Sequence, residues 1–346
     1  MNHVSQSPSV LVAGGNSGSW HFTERLRDSA WVSGIESWVY ATKGRYKEYT
    51  TVTPDDVCTA DVVIMNLNAI EKPGTMRKVR ELAESRPAHV RWVTLLEGDM
   101  RSYLKPLPHL RELFDASTFV NCINVHAHDF FASLTSTPVH TLGIPYPAEG
   151  VRACSTPMEQ RHRSVHICPF LRTRWSEYAV ARQLHMPVRG FERRVSRSLR
   201  RLWSNYHRFG SATQTDINKQ FVRSMYNTPP VDVSYEMWFD GYYAHASSSW
   251  IWLNLDDRYT WGRFVLDAAA LGVPIISTAS TGHARVMFPD TTVDTPFDVQ
   301  TAVRYAQRLC EDVEFYKSVT ETAWNKVQEL RPELMTQRLW TLLGLQ

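Results

Sequence analysis

Short apolar runs alternate with longer amphipathic stretches along this chain, and they do so in two successive series. Runs of this kind, separated by helical spacing, are how a parallel sheet reads when helices cover both of its faces. The first series opens with residues 9–13 (SVLVA), continues through Gly14-Gly15-Asn16-Ser17-Gly18 and enters a helix-like stretch over 20–30. Further apolar runs at 38–41, 61–66, 90–96, 118–125 and 139–144 are read as strands, with helical patterns over 75–85 and 107–114 between them. Pro145-Tyr146-Pro147 interrupts this series, because neither helix nor central strand continues easily through proline. The second series has strands at 164–170, 250–255 and 273–277. Its helices fall at 175–184, 262–271, 299–309 and 313–330, and a last amphipathic helix follows Pro332 over 333–343. The expectation is an α/β chain of two doubly wound, Rossmann-like halves, 1–148 and 149–330, with a C-terminal helix in 331–346 packing back on the first half. A length of 346 residues suits two cores better than one.

Composition narrows the class. At 43% hydrophobic residues there is enough apolar surface for packed cores, which excludes a disordered chain. No stretch reaches the roughly 18 consecutive apolar residues of a membrane helix, and residues 1–8 lack the basic-then-apolar order of a secretory leader. Cys58, Cys122, Cys154, Cys168 and Cys310 form no C-x-x-C pair, so neither a zinc site nor a disulfide framework is expected. A reducing, cytoplasmic setting follows, the host cytoplasm if the protein is viral. Charge is unevenly spread. Residues 152–208 hold thirteen arginines against three acids, a local +10, so the rest of a chain with total charge +3 carries −7. An arginine excess of this density points to an anionic partner, since guanidinium forks match phosphate oxygens.

Residues 250–283, WIWLNLDDRYTWGRFVLDAAALGVPIISTASTGH, form an apolar strand, an acidic–aromatic–glycine turn, a helix, a second strand and a small-residue–glycine turn. This segment resembles the donor-site core of the GT-B glycosyltransferases, especially the retaining families that include glycogen-synthase-like and sucrose-synthase-like enzymes. Gly262, Asp267, Gly272-Val273-Pro274 and Thr281-Gly282 stand in register with that pattern. The resemblance implies two facing Rossmann-like halves and a nucleoside diphosphate sugar, a UDP-sugar first, as co-substrate, with no cofactor or metal required. It implies that Gly262 starts a helix seating the donor phosphates, that Asp267 holds the ribose, and that Thr281 and Gly282 lie beside the donor sugar. A second glutamate of the retaining members falls here on Tyr259, which leaves retention or inversion open. Arg172 and Arg174, after the first strand of the second half, match the family's two cations for the donor pyrophosphate.

Acceptor-side candidates come from loops at the carboxyl ends of first-half strands. Glu97 and Asp99 follow the 90–96 strand, and either carboxylate could take the acceptor's proton. The alternative for Asp99 is an ordinary helix cap. In His126-Ala127-His128-Asp129, His128 is a third catalytic candidate. Gly15, Asn16 and Ser17 form a glycine loop that contacts donor or acceptor, or is only a tight turn. Over 191–208, Val195, Leu199, Leu202 and Tyr206 make an apolar stripe at helical spacing. Arg193, Arg194, Arg197, Arg200 and Arg201 occupy the remaining faces. Duplex DNA phosphates, an anionic lipid surface and plain solvent are the three readings of that helix. Bacteriophage enzymes that glycosylate hydroxymethylated pyrimidines in DNA are similar in size and architecture. The expected activity is therefore sugar transfer from a nucleotide sugar to an acceptor hydroxyl, with such a base as the first acceptor. The alternatives are a cell-surface glycan, lipid or small-molecule acceptor, a sugar-nucleotide epimerase, or a catalytically silent sugar-nucleotide-binding protein.

Overall fold

The computed structural model describes residues 7–15, 34–67, 73–167, 175–192, 231–235 and 239–345. The first series of apolar runs forms a parallel sheet of β1 (Val10–Gly14), β2 (Arg45–Glu48), β3 (Val62–Asn66), β4 (Arg91–Leu96), β5 (Phe119–Cys122) and β6 (Val139–His140). Its spatial order is β2-β1-β3-β4-β5-β6. Every residue of β1, β3 and β5 is buried, as expected where helices cover both faces and no polar alternation is needed.

One segment differs from the sequence reading. Residues 38–41 belong to the helix Gly34–Thr42, whose Ile35, Trp38 and Thr42 are buried at helical spacing. A four-residue apolar run cannot by itself separate a strand from one face of a helix. The strand in this region is β2, which reads RYKE and lies at the sheet edge. Among the described residues only one of its edges is paired, so it needs no apolar run.

The second series forms β7 (His162–Ile167), β8 (Val188–Glu192), β9 (Val231–Tyr235), β10 (Ser249–Asn254), β11 (Ile275–Thr278) and β12 (Thr292–Val293), again all parallel. Read from β9 the order is β9-β8-β7-β10-β11-β12, that of dinucleotide-binding domains, with its reversal between β7 and β10. Phe191 and Glu192 end β8, so the helix expected over 191–208 does not begin there. The rest of that expected helix, with Arg193, Arg194, Arg197, Arg200 and Arg201, lies outside the described residues. So do Asn16, Ser17, the helix expected over 20–30, Arg172 and Arg174.

The chain passes from one sheet to the other over 141–161, through a short helix at Ala148–Arg152. There the Tyr146 amide donates to Leu330 O at 2.7 Å. The final helix, Pro332–Leu343, returns to the first half and packs against Gly34–Thr42, with Thr336 Oγ1 donating to Ala41 O at 3.2 Å. The segments after β4 and β5 meet those after β10 and β11. Met100 N donates to Tyr259 O at 2.9 Å, and Asn124 Nδ2 donates to Thr260 O at 2.8 Å and Ser280 O at 2.9 Å. The carboxyl ends of the two sheets therefore face each other. Among the described residues no helix is long and apolar enough to cross a membrane.

Candidate active site

On the C-terminal side the site is built from the turn that leaves β10. Asp256 is buried and held by a fork from Arg258, with Nε at 3.1 and 3.0 Å and Nη2 at 2.8 Å from its carboxylate. Thr278 and Ser280 donate their hydroxyls to Asp256 O, which pins the turn to the end of β11. The turn delivers Gly262 with φ +89° as the N-cap of the helix Arg263–Leu271. Only glycine adopts that conformation at little cost, and a Cβ here would sit 2.6 Å from Thr281 Cγ2. The first-turn amides of such a helix have no acceptor within it, and its dipole presents positive charge, so this end suits a phosphate.

Asp267 lies one turn further along and is 4% exposed. Its Oδ1 accepts from the Tyr146 hydroxyl at 2.6 Å and the Tyr243 hydroxyl at 3.2 Å, and stands 3.6 Å from Arg263 Nε. Arg263 Nη2 also donates to the Tyr243 oxygen at 2.9 Å. Burial pushes the Asp267 carboxyl above its ordinary range, against the pull of the Arg263 guanidinium. Its Oδ1 thus anchors the cluster, and its Oδ2 takes no hydrogen bond from the described residues.

Thr281 and Gly282 come after β11. Thr281 Oγ1 accepts from Asn254 Nδ2 at 3.4 Å, and Gly282 N–H donates to Thr260 O at 3.0 Å. A Cβ on Gly282 would lie 3.1 Å from Thr260 O and 3.4 Å from Asn124 Nδ2 and Ile123 O. The close approach this glycine permits in the structure is that of the N-terminal half. Tyr259 is 38% exposed, and its ring stands edge-on to His126 with centroids 6.4 Å apart.

The first half contributes Glu97, Asp99 and the histidines. Glu97 lies just past β4. Its carboxylate takes both its oxygens to the Gly34 amide at 3.0 Å and also accepts from Asn66 Nδ2. It thus ties β3, β4 and the N-terminus of the helix Gly34–Thr42 together. Burial pushes this carboxyl above its ordinary range and outweighs the Asn66 and Gly34 hydrogen bonds, with Arg263 a smaller opposing charge. Asp99 caps the short helix Met100–Leu104 through the Arg101 amide at 3.1 Å and is gripped by the Arg101 guanidinium at 2.8 Å. Burial acts upward on Asp99, but Arg101 outweighs it and holds the carboxyl below its usual value, so it is the weaker base of the two.

His128 bonds Asp129 at 2.8 Å through Nδ1 and Val139 O at 3.0 Å through Nε2. The Asp129 bond, then the Val139 carbonyl, raise its pKa. Both ring nitrogens are thus committed to its own half, and the histidine that faces the C-terminal half is His126. Gly15 is buried at the end of β1. Among the described residues no group of three or more His, Cys, Asp or Glu side chains is arranged to hold a metal ion.

Several residues here carried little sequence signal. Arg263 stands beside Gly262 and could have been found as a cation at a helix start. Tyr146, Tyr243 and Asn124 meet the site only through contacts 121, 24 and 136 residues away in sequence.

Solved structures overlap this arrangement along its length. A UDP-forming α,α-trehalose-phosphate synthase from Burkholderia xenovorans superposes with a TM-score of 0.63 at 9% identity, covering 97% of this chain and 99% of its own. The chain has the GT-B fold. An α-glucosyltransferase in complex with UDP and a 13-mer DNA containing an HMU base gives 0.59 at 12% identity, covering 98% and 100%. Sucrose-phosphate synthase from Thermosynechococcus elongatus gives 0.59 at 13% identity over 82% of this chain and 74% of that one. No protein-family model and no curated protein matches the sequence.

Proposed function

We propose that this protein is a glycosyltransferase that moves a sugar from a nucleoside diphosphate sugar, a UDP-sugar first, to an acceptor hydroxyl on a hydroxymethylated pyrimidine in DNA. The observation that carries the reading is the end-to-end overlap with an α-glucosyltransferase solved with UDP and DNA, a protein of the same extent and layout. The donor sits in the C-terminal half, with its diphosphate at the start of the helix Arg263–Leu271. Arg263 and, from the sequence, Arg172 and Arg174 balance the charge that the departing diphosphate gains. Asp267 Oδ2 accepts from the ribose, while Gly262, Thr281, Gly282 and Tyr259 shape the sugar's surroundings. The acceptor oxygen replaces the diphosphate oxygen on the anomeric carbon. Its proton passes to a carboxylate, Glu97 or Asp99: Glu97 has the raised proton affinity but holds the Gly34 amide and Asn66, and Asp99 is held by Arg101. Contact between the halves through Asn124 excludes water that would hydrolyse the donor. The arginine-rich stretch, Arg193, Arg194, Arg197, Arg200 and Arg201 within it, supplies cations for the phosphate backbone. The target base is swung out of the stack to reach the cleft.

The test is nucleotide release from UDP-, GDP-, ADP- and TDP-sugars, with and without hydroxymethylated duplex DNA. Release that requires the modified DNA supports both donor and acceptor. Release without that requirement keeps the transferase and moves the acceptor to a glycan, lipid or small molecule. Absence of release with every donor overturns the reading.

A further inference from the structure

Two arginines of the basic stretch, Arg152 and Arg161, converge on the outer side of the C-terminal half rather than on the cleft. They line a cavity of about 380 Å³ together with Ser155, Thr156, Thr320 and Trp324. The cavity lies at the carboxyl end of the helix Arg263–Leu271, whose amino end opens on the donor side; nine residues at about 1.5 Å each put roughly 13 Å between the two ends.

The two guanidiniums are used differently. Arg161 spends all five of its donors on the protein: Thr156 O at 3.0 Å, Gly272 O and Tyr316 Oη at 2.7 Å, Leu271 O at 3.1 Å and Ser155 Oγ at 3.4 Å. It caps the last carbonyls of that helix, which accounts for it structurally. Arg152 makes one long bond, Nη1 to Ala270 O at 3.3 Å, and lies over the Trp324 ring at 4.9 Å. Its Nε and Nη2 donate to none of the described residues. Partial burial, then the neighbouring Arg161 charge, push the Arg152 guanidinium below its ordinary value, while the Glu149 carboxylate acts in the opposite direction. Neither arginine has a described carboxylate within 4.0 Å, although Glu321 also lines the cavity. Helix capping thus explains Arg161. Arg152 is an exposed residue whose Nε and Nη2 face solvent at the mouth of the same cavity, so that two like charges and a planar donor fork stand open to an anion from outside.

We propose that this cavity binds a small phosphate monoester, its phosphate taken by the Arg152 fork in the field of Arg161 and its body packed against Trp324. Fork-on-phosphate pairing is the bidentate geometry that distinguishes arginine from lysine. The site is separate from the donor cleft.

The test is isothermal titration of the full chain with glucose 6-phosphate and with inorganic phosphate, in excess UDP so that phosphate contacts in the donor cleft are blocked. Saturable binding is expected in the wild type. Arg152→Gln should weaken it about tenfold or more, the loss expected for a charge-assisted contact. Arg152→Lys keeps the charge but not the fork and should fall between; it carries the test if the glutamine variant fails to fold. Equal affinity in wild type and both variants, or no saturable binding of either probe, overturns the proposal. So does a duplex oligonucleotide that displaces the phosphate and depends on Arg152 in the same way, because the site would then serve a polynucleotide backbone.

Discussion

Replacing Gly262 by alanine should destabilise the protein by about 2–5 kcal/mol, and the sum has two separable parts. The backbone stands at φ +89°, where an L side chain costs about 1–2 kcal/mol. The added methyl would lie 2.6 Å from Thr281 Cγ2, and relieving such an overlap in a packed region costs about 1–3 kcal/mol. The second part can be removed independently. Thr281→Ser deletes that Cγ2 and, alone, loses about 0.8 kcal/mol of buried methyl. In Gly262→Ala with Thr281→Ser the overlap is gone, so the double variant should recover about 1–3 kcal/mol relative to additivity while the backbone cost stays. Urea unfolding followed by both far-ultraviolet circular dichroism and tryptophan fluorescence measures all four proteins and tests whether the two halves unfold together. A Gly262→Ala protein within about 0.5 kcal/mol of wild type refutes the reasoning. Strict additivity in the double variant refutes the steric share.

Asp267→Ala should cost about 3–5 kcal/mol, because it leaves the Arg263 charge enclosed without its counter-ion. Tyr146→Phe, which removes one hydrogen bond to that carboxylate, should cost about 1.5–3 kcal/mol; equal losses on denaturant unfolding would contradict the cluster's ion-pair character. Asp56 makes a pH prediction. Burial acts upward on its carboxyl, but Lys47 at 2.6 Å and the Thr53 cap outweigh it and bring the pKa to about 2. A depressed folded value means stability that is present above the ordinary carboxylate range and lost as pH falls through it toward the folded value. Acid titration of unfolding stability should therefore show about 1–2 kcal/mol lost between roughly pH 4 and pH 2, absent in Asp56→Asn.

Much of this fold is legible in the chain because it is local. Buried parallel strands need apolar residues on both faces, so 61–66 and 250–255 announce β3 and β10 without reference to anything distant. The start of the helix at Gly262 is likewise local, since the turn requires a left-handed residue wherever the rest of the protein lies. The exceptions obey the same logic. β2 is an edge strand with no apolar demand, and 38–41 is one face of a helix too short a run to declare its period.

The tertiary structure alone decided which polar groups share a partner. Asp267 shows in sequence as an acid on a helix, and its environment comes from Tyr146, 121 residues earlier, and Tyr243, 24 residues earlier. Glu97 and Asp99 are two residues apart and alike on paper. One is enclosed at the start of the helix Gly34–Thr42 with raised proton affinity, and the other is held charged by Arg101. Hydrophobic periodicity specifies burial, because burial depends only on which face a residue occupies. A carboxylate's acidity and reach depend on charges and donors brought within a few ångströms by folding, and no spacing along the chain encodes them.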